Sequence, residues 1–117
     1  MKVNIRYKLF RLRKDGSIGP LFINTKQRIP VGEWLQSESH LTKGFAYRPG
    51  WHATTKPYAP HLSEKGRVWC MIETEGEKVY NRPESQGGTW ILADRILVVS
   101  ILSKEEVENL RNYYLTT

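Results

Sequence analysis

The chain holds a single cysteine, Cys70, among 117 residues, so no disulfide can form within it. Cys70 sits in the apolar run Val68-Trp69-Cys70-Met71-Ile72 and reads as a small buried hydrophobe with no chemistry assigned. Histidine is scarce too. His52, His61 and Cys70 follow one another at nine-residue spacing, without the close ligand pair that structural zinc sites draw on, so no metal is expected. Missing as well is any apolar run of about eighteen residues, and residues 1–6 carry too much charge for a secretion signal. The expectation is a soluble cytoplasmic protein without a membrane partner. With 39% hydrophobic and 26% charged residues, this length fits one domain spanning 1–117 around one core.

Acidic residues are few in the first half. Residues 1–56 carry eleven Lys and Arg against three acids, whereas residues 57–117 carry seven against nine, and the whole chain has a net charge of +6. A polyanion partner and a site for one phosphorylated ligand explain that bias equally well. For the first, Arg6, Lys8, Arg11, Arg13 and Lys14 lie on one hairpin with Tyr7 and Phe10, a combination suited to nucleic acid.

Periodicity predicts a mostly antiparallel α+β domain. Residues 3–13 alternate as a long strand, Asp15-Gly16 marks a turn, and the apolar residues 18–23 form the hairpin partner. Val31, Trp34 and Leu35 have helical spacing, which predicts a short helix or turn over 30–39. Residues 67–74 read as a central strand ended by an acidic turn at 73–77, and 78–80 as a short strand. Residues 82–88 form a loop, and 89–93 and 96–102 two further strands. Ser103 with Glu106 makes a capping box, and Val107, Leu110, Tyr113 and Tyr114 fall on one helical face.

Residues 48–61 carry the densest chemistry. Gly50 permits a turn, and Pro49, Pro57 and Pro60 stiffen a segment that presents Trp51, His52, Thr54, Thr55, Tyr58 and His61. His52 is a candidate general acid or base, although no nucleophile partner is identifiable.

The order of an apolar strand, an acidic turn, a short strand, a Ser/Gly loop, Trp90-Ile91-Leu92 and the run Ile96-Leu97-Val98-Val99-Ser100-Ile101 resembles the C-terminal half of ADP-ribosyltransferase-like domains. In that family a Ser/Thr-rich upstream strand, matched here by Gly50-Trp51-His52-Ala53-Thr54-Thr55, shapes a pocket for NAD. The resemblance implies a small split-sheet domain that binds NAD or an ADP-ribose derivative between that segment and the strand opened by Thr89. It assigns the phosphates to Arg11, with Arg48 as alternate, and the ribose to His52 and Thr54. Trp51 would line the pocket, and Tyr58 would stack on a ring.

Gln86 and Thr89 stand where the family's catalytic carboxylates sit, its glutamate immediately preceding the equivalent of Trp90. A threonine cannot supply the charge that stabilises an oxocarbenium-like transition state. Glu84 would reach the site only if the loop containing Gly87 and Gly88 folds back. A transferase or glycohydrolase using His52, Thr89 and Glu84 therefore stands beside a binder without catalysis.

Gly19-Pro20-Leu21-Phe22-Ile23, Pro30-Val31-Gly32-Glu33-Trp34-Leu35, Arg48-Pro49-Gly50-Trp51-His52 and Pro57-Tyr58-Ala59-Pro60-His61 also resemble uncharacterised proteins of bacteriophages and prophages. That likeness implies the cytoplasm of a bacterial host.

Overall fold

Strand β1 (Asn4–Leu12) contributes to both faces of the sheet: Tyr7 and Leu9 are buried on one side and Phe10 on the other. The computed structural model describes residues 3–21, 26–36, 51–86 and 88–116. In chain order the remaining elements are β2 (Ile18–Gly19), β3 (Trp34–Gln36), β4 (Trp51–Thr54), β5 (Arg67–Asn81), a 3₁₀ turn (Glu84–Gln86), β6 (Thr89–Ile101) and α1 (Lys104–Thr116). The domain is α+β, with antiparallel pairing between its strands and a C-terminal helix.

The strand ladders close on themselves. β5 pairs with β1 through its first half and with β6 through most of its length, β6 pairs with β4, and β4 returns to β1 at Thr54 opposite Tyr7. Short strands extend the edges, β2 beside β1 and β3 beside β6. One core cluster draws on all four strands of this circuit: Phe10, Ala53, Cys70, Ile72, Ile91, Ala93, Ile96 and Val98. On the other side of the sheet, Tyr7, Leu9, Trp69 and Trp90 meet Ala59 and Leu62 from the segment after β4, together with Leu102, Val107 and Leu110 at the helix.

The turn at Asp15-Gly16 forms as the sequence predicts, with Gly16 at φ 86° and Asp15 Oδ1 accepting from Ser17 N and Oγ. The capping box forms too: Ser103 Oγ accepts from Glu106 N at 3.1 Å, and Glu106 Oε1 from Ser103 N at 3.0 Å. Val107 is buried under α1, whereas Tyr113 and Tyr114 are exposed. Tyr114 still brings its hydroxyl to 3.2 Å from that of Tyr7, whose own pKa is raised by burial and by this contact.

Three expectations are corrected. Within the helix or turn expected over 30–39, residues 34–36 form an edge strand instead, because Trp34, Leu35 and Gln36 pair with Leu97, Ile96 and Arg95; residues 37–39 lie outside the described residues. The acidic stretch 73–77 does not end its strand. Glu75 is matched by Arg95 and Glu77 by Arg6, and Gly76 takes φ 68°, a conformation glycine adopts readily, within the single β5. Likewise 89–93 and 96–101 belong to one strand, β6, which passes through Asp94 and Arg95, with Arg95 opposite Glu75; Leu102 follows its end.

The basic charge of β1 is largely consumed inside the fold. Arg6 grips Glu77 through Nε and Nη2, both at 2.9 Å, while Asn4 and Thr74 also donate to that carboxylate. Lys8 Nζ donates to the backbone carbonyl of His52 at 2.6 Å and lies within 6 Å of the Phe10 and Trp51 rings. Desolvation pushes the Lys8 pKa down to about 8.

Candidate functional site

Strand register decides which side chains of the proposed pocket can meet. Tyr7 of β1 faces Thr54 of β4, and Thr54 faces Trp90 of β6, which in turn faces Tyr80 of β5. These four residues share one face, and alternation adds His52 and Leu92, partners in the β4–β6 ladder, to it. The segment after β4 and the late Thr-Trp strand are therefore brought together, though not as opposite walls of a cleft. They begin as hydrogen-bonded neighbours, and residues 55–62 then cross over the shared face, where Ala59 and Leu62 pack with Trp90.

A polar cluster gathers at the end of this face. His52 Nδ1 lies 2.8 Å from the Tyr80 hydroxyl, the two rings meeting edge to face. The Arg82 guanidinium stands 5.6 Å from the Tyr80 ring centroid and donates to Gln86 Oε1 at 3.0 Å. Trp90 Nε1 donates to the Gln86 carbonyl at 2.6 Å, and the His61 ring meets that of Trp90 at 5.7 Å. Desolvation, and then the charge of Arg82, hold the His61 pKa below the usual histidine value. Such a cluster can donate hydrogen bonds to an anionic or hydroxylated ligand.

The residues singled out in the sequence have different fates. His52 and Gln86 belong to the cluster. Thr54 shares the face but is buried, and its hydroxyl is spent on the carbonyls of Tyr7 and Lys56 at 3.2 and 2.6 Å. The Tyr58 ring already carries Lys56 at 5.9 Å and Arg111 at 5.7 Å, so cations occupy the surface expected to stack on a base. Arg11 is exposed and donates to the Leu21 carbonyl at 3.0 Å, at the end of β1 that pairs with β2. Arg48 lies outside the described residues.

Alternation carries Trp51 to the opposite face from His52, where it packs against the inner core; its Nε1 is buried without a hydrogen-bond acceptor. Thr89 is likewise turned away from His52, since its successor Trp90 shares the His52 face. Thr89 and His52 therefore do not form one catalytic centre. Glu84 is exposed at the start of the 3₁₀ turn, with its carboxylate toward Gly88.

Tyr80 and Arg82 were not singled out as site residues. Their signal was the pairing of residues 78–80 with 89–93 across a polar loop, which places Tyr80 against Trp90.

Tyr7 and Phe10, the rings that made the N-terminal hairpin a nucleic-acid candidate, are 2% and 0% exposed and offer no stacking surface. Cys70 belongs to the inner core and His61 to the opposite face, and no group of three metal-ligating side chains occurs among the described residues. No described helix is long and apolar enough to cross a membrane. A separate cleft of about 260 Å³, lined by Glu64, Val68, Leu102, Val107 and Arg111 among others, lies between α1 and the start of β5 and contains none of the candidate site residues read from the sequence.

No family model, curated protein or solved structure matches the chain.

Proposed function

We propose that this domain has an ADP-ribosyltransferase-like fold and binds NAD or an ADP-ribose-type nucleotide on the face shared by β4, β6 and the end of β5. The observation that carries this reading is the strand order β1–β4–β6. It sets side by side the three segments that the resemblance joins: the first long strand, the Trp51–Thr54 strand and the strand opened by Thr89. His52 with Tyr80 is suited to ribose hydroxyls, since imidazole and phenol between them donate and accept. Gln86 and Arg82 flank that pair.

The reading favours binding over transfer. Thr89 brings no charge and faces away from His52, so the oxocarbenium-like state at the nicotinamide bond would lack its stabilising carboxylate. On this reading the domain is a nucleotide-binding or sequestering module of a phage or prophage, acting in the bacterial cytoplasm.

Thermal unfolding with NAD, ADP-ribose and cyclic ADP-ribose tests the proposal. A ligand at a hundred times its dissociation constant stabilises by about 2.7 kcal/mol, so the transition should move upward with at least one of them. An unmoved transition with all three rejects the site, and steady release of nicotinamide from NAD rejects the non-catalytic reading.

A further inference from the structure

We propose that Arg82, with His61 beside it, is the anion-binding element of this face and takes the diphosphate of the nucleotide, an assignment that rests on the nucleotide reading above. The resemblance points to Arg11 for that task, but Arg11 extends along the hairpin to the Leu21 carbonyl. Arg82 stands over the Tyr80 ring, within the cluster itself.

Its position is built by the backbone. Arg82 follows directly on β5; its N–H donates to the Gly88 carbonyl at 2.6 Å, and the Gly88 N–H donates to the Pro83 carbonyl at 3.2 Å. The loop is thereby pinned at its base. The half-buried guanidinium lies over the Tyr80 ring, and its Nη1 donates to Gln86 Oε1. Most of its donor fork remains for a ligand.

Charge supports the same conclusion. Arg6, Arg28, Arg95 and Arg111 each meet a carboxylate, on Glu77, Asp15, Glu75 and Glu64 respectively. Arg82 makes no ion pair among the described residues, and Glu84, two positions on, is directed to Gly88. His61 is held on the Trp90 ring, and Trp90 in turn pairs with Tyr80, the ring over which Arg82 stands; desolvation first, and then the charge of Arg82, lower the His61 pKa. A guanidinium with one side-chain acceptor and no carboxylate partner among the described residues keeps donors for an anion. A diphosphate supplies several oxygens to a planar fork that binds them in pairs.

The test follows the histidine ring resonances by NMR while wild type and Arg82→Gln are titrated with inorganic pyrophosphate, ADP-ribose and adenosine. The glutamine keeps an amide donor for Gln86, and the amide spectrum of the variant reports whether the fold is retained. Pyrophosphate and ADP-ribose are expected to shift the His61 resonances saturably in wild type, adenosine is expected to leave them in place, and R82Q should weaken both anionic ligands tenfold or more. Equal affinity of R82Q and wild type for ADP-ribose would overturn the assignment while the nucleotide reading stood. Pyrophosphate binding that depends on Arg82, without any response to ADP-ribose or NAD, would keep the anion site and reject the nucleotide reading. No response of His61 to pyrophosphate overturns the assignment directly.

Discussion

His52 and Tyr80 are joined at 2.8 Å across a strand that belongs to neither, since β4 and β5 each pair with β6 and the two side chains reach over it. The contact ties β4, inside the proline-rich stretch, to the loop end of the long β5–β6 hairpin. Neither residue could hold that geometry if the β4–β6 register slipped by one position, because a slip would turn His52 to the opposite face.

Tyr80→Phe should therefore keep the ring contacts and lose only the hydroxyl. The expected cost is about 1 kcal/mol of stability, measured as a lowered urea midpoint. On the proposed function, the affinity for ADP-ribose should fall several-fold. An unchanged affinity would detach His52–Tyr80 from the ligand.

Lys8 makes a prediction about pH. The unfolded chain keeps this proton up to about pH 10.4, the folded chain only up to about 8, so between those values the unfolded state binds more protons. The contribution of Lys8 to stability therefore rises with pH across that window, and below it the cost of the enclosed charge is fully present. Lys8→Met should gain on wild type at pH 7 and lose that gain by pH 10, read from urea midpoints. Cys70, whose thiol burial raises to about 12, acts in the opposite sense in both proteins and cancels in the comparison. A difference that stays flat from pH 7 to 10 would show that Lys8 is hydrated.

The surroundings of Gly76, inside β5, predict an asymmetry between two glycines. Gly76 and Gly66 share nearly the same φ, 68° and 69°, but a Cβ at Gly76 would collide with the Asp94 side chain, whereas one at Gly66 meets open space. Gly66→Ala should cost about 1 kcal/mol, from the left-handed backbone alone. Gly76→Ala should cost clearly more by chemical denaturation, because Asp94 must also move.

At the helix, Ser103→Ala removes the oxygen that receives the Glu106 N–H and should cost about 1 kcal/mol. Ser103 also holds the Glu106 carboxyl below its usual pKa, first through its backbone N–H, which S103A keeps, and then through its side chain, which S103A loses; the side-chain part is present above the ordinary glutamate range and fades as acid protonates the carboxyl. The gap between wild type and S103A, followed by thermal unfolding, should narrow below pH 4.

Local chemistry was legible in the residues themselves. The Asp15-Gly16 turn, the alternation of β1 and the Ser103–Glu106 box each depend on near neighbours, and all three form. The sequence by itself also determined that His52 and Thr54 share a face, since a strand repeats every second residue. What only the tertiary structure decided was the use of each feature. Glu73 to Glu77 looked like a turn because four carboxylate or hydroxyl side chains beside a glycine normally seek water, yet distant partners, Arg6 and Arg95, let the strand continue. Thr54 looked available until the carbonyls of Tyr7 and Lys56 took its hydroxyl. Thr89 and His52 fall on opposite faces because the β4–β6 register pairs Thr54 with Trp90. Register is a property of two strands far apart in the chain, so periodicity within either one cannot reveal it.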